Sequence, residues 1–250
     1  MSATALTLLI LLFFITTVVG VVTGSNSLIT VPVMFQFGIE PKTAVATNMF
    51  GLTFMAIGAT IPFLRSGAIN TKKISPLIGL TLIGSAIGAL LVGFISDKTM
   101  PIIVSVSMII VTVFTLIKRN AGVVKTETVS RNQLIITCIL TFLLAIYGGL
   151  YSGGYVTVLT STLVAFFGLT FTEAVASTKL INVFSSSVAT LIFMWQGLVN
   201  YQLGAILAVV MFVGAYVGAY TVTKLSDIWL KRIFIGTVLI LAVKTIFDFI

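Results

Sequence analysis

Apolar residues fall into ten runs separated by short polar breaks, and the runs come in two lengths. Eight are long, at 3–22, 41–64, 74–95, 101–117, 133–151, 171–195, 201–223 and 229–249; two are short, at 26–37 and 155–167. The long runs suit helices that cross a hydrocarbon core of about 30 Å. Twelve or thirteen residues of helix, at about 1.5 Å each, cover under about 20 Å and cannot cross it. Each short run follows helix-breaking or capping residues, Thr23-Gly24-Ser25-Asn26-Ser27 in one case and Gly148-Gly149 through Ser152-Gly153-Gly154 in the other. The pattern predicts an all-α polytopic membrane protein of about eight to ten transmembrane segments, two of them broken or re-entrant.

The order of long and short runs occurs twice, and the residues repeat with it. At a displacement of 130, Gly24 meets Gly154, Gly38 meets Gly168, Ala44-Val45-Ala46 meets Ala174-Val175-Ala176, and Asn70 meets Asn200; Gly84 and Gly88 meet Gly214 and Gly218, and Ser96-Asp97 meets Ser226-Asp227. About a quarter of the positions from 24 to 116 are identical at this displacement. Two homologous repeats follow, 1–120 and 131–250, joined by an inter-repeat loop at 121–130. Each repeat holds a broken or re-entrant pair, its first long run with its short one, and three full spans.

Charge decides how the repeats are oriented. If each short run carries the chain back to the side it came from, the halves are inverted. With the joint in the cytoplasm, Arg65, Lys72, Lys73, Lys118, Arg119, Lys125, Arg131, Lys224, Lys231 and Arg232 are then inside, and Lys42, Lys98 and Lys244 outside. If the short runs are mere loops, the halves are parallel and the division is eight to five instead of ten to three. The positive-inside rule favours inversion, with both termini outside. Residues 3–22 are read as a retained span, because the first Lys is Lys42 and no basic n-region precedes them.

Composition narrows the function. With 58% hydrophobic and 8% charged residues in 250, ten spans leave no room for a soluble catalytic domain, so function sits inside the bundle. No His and a single Cys, Cys138, remove imidazole bases, His/Cys metal sites and disulfides. No enzyme activity and no cofactor are expected. The net charge of +8 comes from loop Lys and Arg without aromatic interleaving, which speaks for the lipid bilayer and against nucleic acid as a partner. There is no G-x-x-x-x-G-K-[ST] run to bind a nucleotide.

Short, glycine-interrupted segments in matching places of inverted halves point to a transporter's binding site; irregular helix ends without a ligand are the other reading. Helix N-termini freed inside the bilayer carry positive partial charge and suit a small anion. The candidate cradle is the turn Gly24, Ser25, Asn26 and Ser27 with the turn Gly153, Gly154 and Tyr155, and Thr157 adds a hydroxyl. Lys179 is the one charge well inside a span, and Lys179, Asn182, Ser186 and Thr190 share a helical face. The matching stripe starts at Thr47-Asn48, with Met49 in the place of Lys179; Ser177 and Thr178 complete the second-half set. Three roles are open to Lys179: anion contact or gating, capping of carbonyls, and pairing with Glu173. Glu40 and Glu173 suit first helical turns, and Glu173 is also the acidic candidate for proton coupling. Asp97 and Asp227 are expected to cap the helices that follow them. Pro32 and Pro62 are expected to help break helices. Gly84-x-x-x-Gly88 and Gly214-x-x-x-Gly218 are packing faces.

Gly20 through Pro32 (GVVTGSNSLITVP), Gly38-Ile39-Glu40-Pro41 and Ala44-Val45-Ala46-Thr47-Asn48 resemble the TauE/SafE family of sulfite and organosulfur anion exporters. Gly148-Gly149 to Gly154, Gly168, Ala174-Val175-Ala176-Ser177-Thr178-Lys179 and Gly197-Leu198-Val199-Asn200 resemble its second motif, so the likeness covers nearly the whole chain. The first turn departs from the family's denser run of glycines. The resemblance implies a multi-pass permease of the cell membrane that moves sulfite or small organosulfur anions. The expected mechanism is alternating access around a midplane site, driven by a proton or ion gradient or by the anion's own. A passive anion channel of the same architecture is the rival, and a homo-oligomer is left open.

Overall fold

A computed structural model describes residues 3–24, 26–117 and 129–225, with Trp229 and Arg232. Ser25, Asp227, most of the inter-repeat loop and the run 229–249 therefore lie outside the described residues, apart from Trp229 and Arg232. The described residues form nine helices: α1 (Ala3–Thr23), α2 (Ser27–Gln36), α3 (Pro41–Arg65), α4 (Thr71–Val92), α5 (Met100–Ile117), α6 (Arg131–Leu150), α7 (Tyr155–Phe166), α8 (Phe171–Trp195) and α9 (Tyr201–Val222). Six of them, α1, α3, α4, α6, α8 and α9, are long and apolar enough to cross a membrane, and α2 and α7 are the short ones.

The helix boundaries follow from local chemistry. The side chain of Asn70 accepts from Lys73 N and starts α4 three residues ahead of its apolar run, and Asn200 does the same for α9 by accepting from Leu203 N. Capping boxes open α6 (Ser130 with Gln133) and α8 (Thr170 with Glu173). At the other ends of α3 and α8, Gly67 and Gly197 take φ near +70°, which lets Ala68 N and Leu198 N reach back to Phe63 O and Phe193 O.

Two expectations are corrected. Pro32 and Pro62 lie inside α2 and α3 and end neither helix. Asp97 does not cap α5: Ser96 accepts from Thr99 N there, whereas the Asp97 carboxylate accepts from Lys42 N in the first turn of α3.

Packing exchanges partners between the halves. α3 lies on α9 and α8, α4 on α8 and α6, and α1 on α9. Small residues allow the close crossings: a Cβ on Gly88 would stand 1.9 Å from Ile146 O, and one on Gly218 would stand 2.6 Å from Val18 O. Gly84 meets Ala145 and Gly88 meets Ile146 and Leu150, so α4 and α6 run in the same direction. α1 and α9 also run together, with Gly214 against Thr17 and Gly218 against Val18 and Val21. α3 and α8 run oppositely, since Thr47 meets Asn200 and Thr53 meets Thr190. The outward faces are apolar, with Ile83, Leu90 and Leu91 on α4 and Val209, Val213 and Val217 on α9 exposed.

Each end of the bundle is tied across the halves. At one end Leu6, Phe37 to Ile39, Asn200, Gln202 and Leu203 line a cavity of about 410 Å³, which brings the end of α2 back beside the start of α1. Gln196 donates to Ala89 O and Leu90 O. At the other end Lys73 Nζ donates to Phe167 O at 3.1 Å and lies over the Phe167 ring, and Arg65 reaches Tyr216.

Candidate functional site: two helix breaks around a buried polar chamber

Backbone geometry brings the two breaks face to face. Gly24 ends α1 with φ +69° and Gly154 opens α7 with φ +79°. A Cβ on Gly24 would lie 2.8 Å from both Thr157 N and Val156 Cβ, so any side chain there would collide with the opposite break. Thr157 Oγ1 donates to Thr23 O at 2.6 Å, and the hydroxyls of Ser27 and Ser152 share a bond of 2.8 Å. Tyr151 donates to Ser27 O at 2.9 Å, while Tyr147 donates to Gly153 O.

Behind each break, a polar residue of the long helix holds the short one. Thr30 donates to Asn48 Oδ1 at 2.7 Å, and Asn48 Nδ2 donates to Ser27 Oγ at 2.8 Å. The hydroxyls of Thr160 and Thr178 share a bond of 3.2 Å, which is the Thr30 to Asn48 contact displaced by 130 in both partners.

Between the breaks lies a chamber lined by Gly24, Asn26, Ser27, Leu52, Met55, Ser152, Val156, Lys179 and Asn182. Its volume is about 10 Å³, room for roughly one water. Lys179 is 1% exposed and its Nζ donates to Gly20 O at 3.2 Å, a carbonyl of the last turn of α1. Of the three roles open to this lysine, capping of a carbonyl is the one seen, and its place in the chamber wall keeps it within reach of a guest. Asn26 is 3% exposed, and neither its Oδ1 nor its Nδ2 has a hydrogen-bond partner. A buried amide left open in this way is costly unless a ligand or water completes it.

The chamber thus gathers Gly24, Asn26, Ser27, Lys179 and Asn182 from the expected set. Asn48 and Thr178 stand one layer behind it, and Thr157 bridges the breaks. Thr47 points elsewhere, accepting from Asn200 N at 3.0 Å, and Ser177 is buried on α8 outside the lining. Two of the backbone N–H groups expected to face an anion are engaged in their own turns, Gly24 N with Gly20 O and Tyr155 N with Ser152 O. The Tyr155 hydroxyl faces away, as described below. Glu173 sits in the capping box of α8, its carboxylate accepting from Thr170 N at 3.0 Å. Sequence reasoning passed over Ser152 and Tyr151, whose signal was their place at the second break, and Leu52, Met55 and Val156, which carry no polar signal at all.

Membrane-length helices around a small chamber walled by buried residues, Lys179 among them, define a multi-pass membrane protein of the transporter class. A family model described as "Sulfite exporter TauE/SafE" matches residues 8–245, and the chain belongs to that family. Among its relatives, "Probable membrane transporter protein ORF9" of Sinorhizobium sp is 27% identical, covering 94% of this chain and 90% of its own length. "Probable membrane transporter protein YfcA" of Escherichia coli (strain K12) is 25% identical over 96% of this chain and 90% of its own. A "Probable membrane transporter protein" of Haemophilus influenzae is 21% identical over 94% and 92%. No solved structure matches the chain.

Proposed function

We propose that this protein is a secondary transporter of small anions, sulfite or small organosulfur anions, working by alternating access around the chamber between its two breaks. The observation that carries the reading is the presence of Lys179 and the unpartnered Asn26 in the wall of one buried chamber, together with the hydroxyl of Ser27 and the amide of Asn182. Cation, amide and hydroxyl donors converge there on a volume too small for a hydrated ion. An anion such as sulfite enters only if the walls part, which is the behaviour of a carrier; a channel needs a continuous water path. The family's description as a sulfite exporter supports sulfite as the substrate.

Two inverted repeats, 1–120 and 131–250, provide the moving parts of this mechanism. Supporting the inversion, α3 and α8 correspond at a displacement of 130 yet run in opposite directions, and the start of α1 shares a cavity with the end of α2. Rocking one half against the other then opens the chamber to alternate sides. Cysteine labelling at Ser2 and Thr71, in a background without Cys138, tests the topology: Ser2 outside and Thr71 inside are expected, and a cytosolic Ser2 overturns the inversion.

The direct test is uptake of labelled sulfite, sulfate and small sulfonates by proteoliposomes, with and without a pH gradient. Saturable uptake of a sulfur anion at carrier-like turnover is expected. Voltage-clamped currents far above carrier rates would instead establish a channel.

A further inference from the structure

A second buried polar group, between α4, α6, α7 and α8, has no part in the chamber. Ser85 and Ser185 share a bond of 2.6 Å, and Ser85 donates to Ala145 O at 3.3 Å. Tyr155, the first residue of α7, lays its ring against Gly148 and brings its hydroxyl to those of Thr81 and Ser185. Even so, Tyr155 Oη and Thr81 Oγ1 satisfy hydrogen-bond geometry with nothing, and the same holds for Thr141 Oγ1. Thr141 lies one turn before Ala145, as Thr81 lies one turn before Ser85, on helices that run together. All three residues are 0% exposed.

That these threonines are unpaired is not a default of helical threonine. Thr16, Thr53, Thr60 and Thr137 each donate to the carbonyl four residues earlier. Thr81 and Thr141 forgo that bond and leave their oxygens open.

Among the described residues, the other half does not repeat the group. At a displacement of 130, Thr81, Ser85 and Ser185 answer to Met211, Ala215 and Met55, all buried. Across the α1 and α6 crossings the displacement is 145 − 17 = 128, because Ala145 meets Gly84 as Thr17 meets Gly214. Thr141 then answers to Phe13, while Thr17, which answers to Ala145, is buried with its own hydroxyl unpartnered.

We propose that the hydroxyls of Thr81, Tyr155 and Ser185, with Thr141 and Ser85 beside them, form a binding site for a small dehydrated monovalent cation, with sodium as the type. The donor set is made of neutral oxygens alone. Hard cations take such oxygens, and without a carboxylate the set suits a single charge better than two.

Position gives the site a role. Tyr155 precedes Val156, which lines the chamber, so a cation held by Tyr155 fixes the first turn of α7 and with it one chamber wall. Ser185 lies six residues beyond Lys179 on α8, about 9 Å along the axis. An anion in the chamber offsets the repulsion between the two positive charges, so anion and cation bind better together than apart.

The test is thermal unfolding of the purified protein in sodium chloride and in choline chloride at equal ionic strength, with binding of radiolabelled sodium alongside. A rise of about 5 °C is expected at a hundredfold excess over Kd. It should vanish in Tyr155→Phe, which keeps the ring and loses one oxygen. Ser185→Ala gives the same reading should Tyr155→Phe not yield folded protein. In Lys179→Met, which disables the anion chamber, the sodium shift should persist, so this site is tested apart from the anion reading. Equal melting in both salts, as for hydroxyls that hold only water, overturns the proposal. So does a sodium shift that survives in Tyr155→Phe.

Discussion

Helices α3 and α4 match α8 and α9 in layout and differ from them in chemistry. α3 and α8 each have 25 residues and α4 and α9 each have 22, all displaced by 130, and the glycine stops and asparagine caps repeat with them. Several side chains facing the centre do not repeat. Asn26 answers to Val156, Met49 to Lys179, and the Thr81, Ser85 and Ser185 hydroxyls to Met211, Ala215 and Met55. On the carrier reading, the repeated helices α3 and α8, and α4 and α9, are the parts that alternating access would exchange. Side-chain asymmetry leaves one buried cation, Lys179, where symmetry would supply two mutually repelling lysines.

The most damaging way to break the comparison is at the crossings that hold the halves together. Gly88→Val should abolish folded protein, read as loss of the monodisperse peak on size exclusion, because its side chain meets Ile146 O; Gly218→Val should be less severe, since its Cβ stops farther from Val18 O. Next is charge. Lys179→Met gives the second half the residue of the first, and sulfite uptake should fall by at least about tenfold, equivalent to roughly 1.4 kcal/mol, while the protein stays folded. Unchanged uptake would remove Lys179 from the mechanism.

Asn26→Val makes the opposite exchange, installing the residue of the second half in the first. With no partner to lose, it should raise the melting temperature by a few degrees while weakening sulfite binding. A lower melting temperature would mean that Asn26 is satisfied in the resting protein. The smallest effect concerns the helix starts. Thr170→Ala, which opens the capping box of α8, should cost about 1 kcal/mol. Glu40→Gln, at the start of α3 where the side chain makes no capping bond, should leave the melting temperature nearly unchanged.

Run length, the repeat and the glycine punctuation made the helices legible, because a bilayer fixes how long a span must be and a left-handed turn admits little but glycine. The bounds of α8 agree with its apolar run at both ends, and those of α4 differ where Asn70 caps ahead of it. Lys179, Asn26, Ser27 and Asn182 were legible as polar residues where lipid allows none. Thr47 was misleading: it stands in the matching polar stripe, but its hydroxyl accepts from Asn200 N across the bundle. Periodicity gives a face and not a neighbour. Asp97 misled for a related reason, since its partner Lys42 is remote in sequence and only the packed ends bring them together.

The bond from Lys179 to Gly20 fastens a helix of one half to the last turn of a helix in the other, and the ammonium that makes it is the group an arriving anion would claim. On the carrier reading, the empty protein is bolted by its own recognition group and the cargo draws the bolt. Such a device leaks little when no cargo is present, and it favours swapping one anion for another over returning vacant.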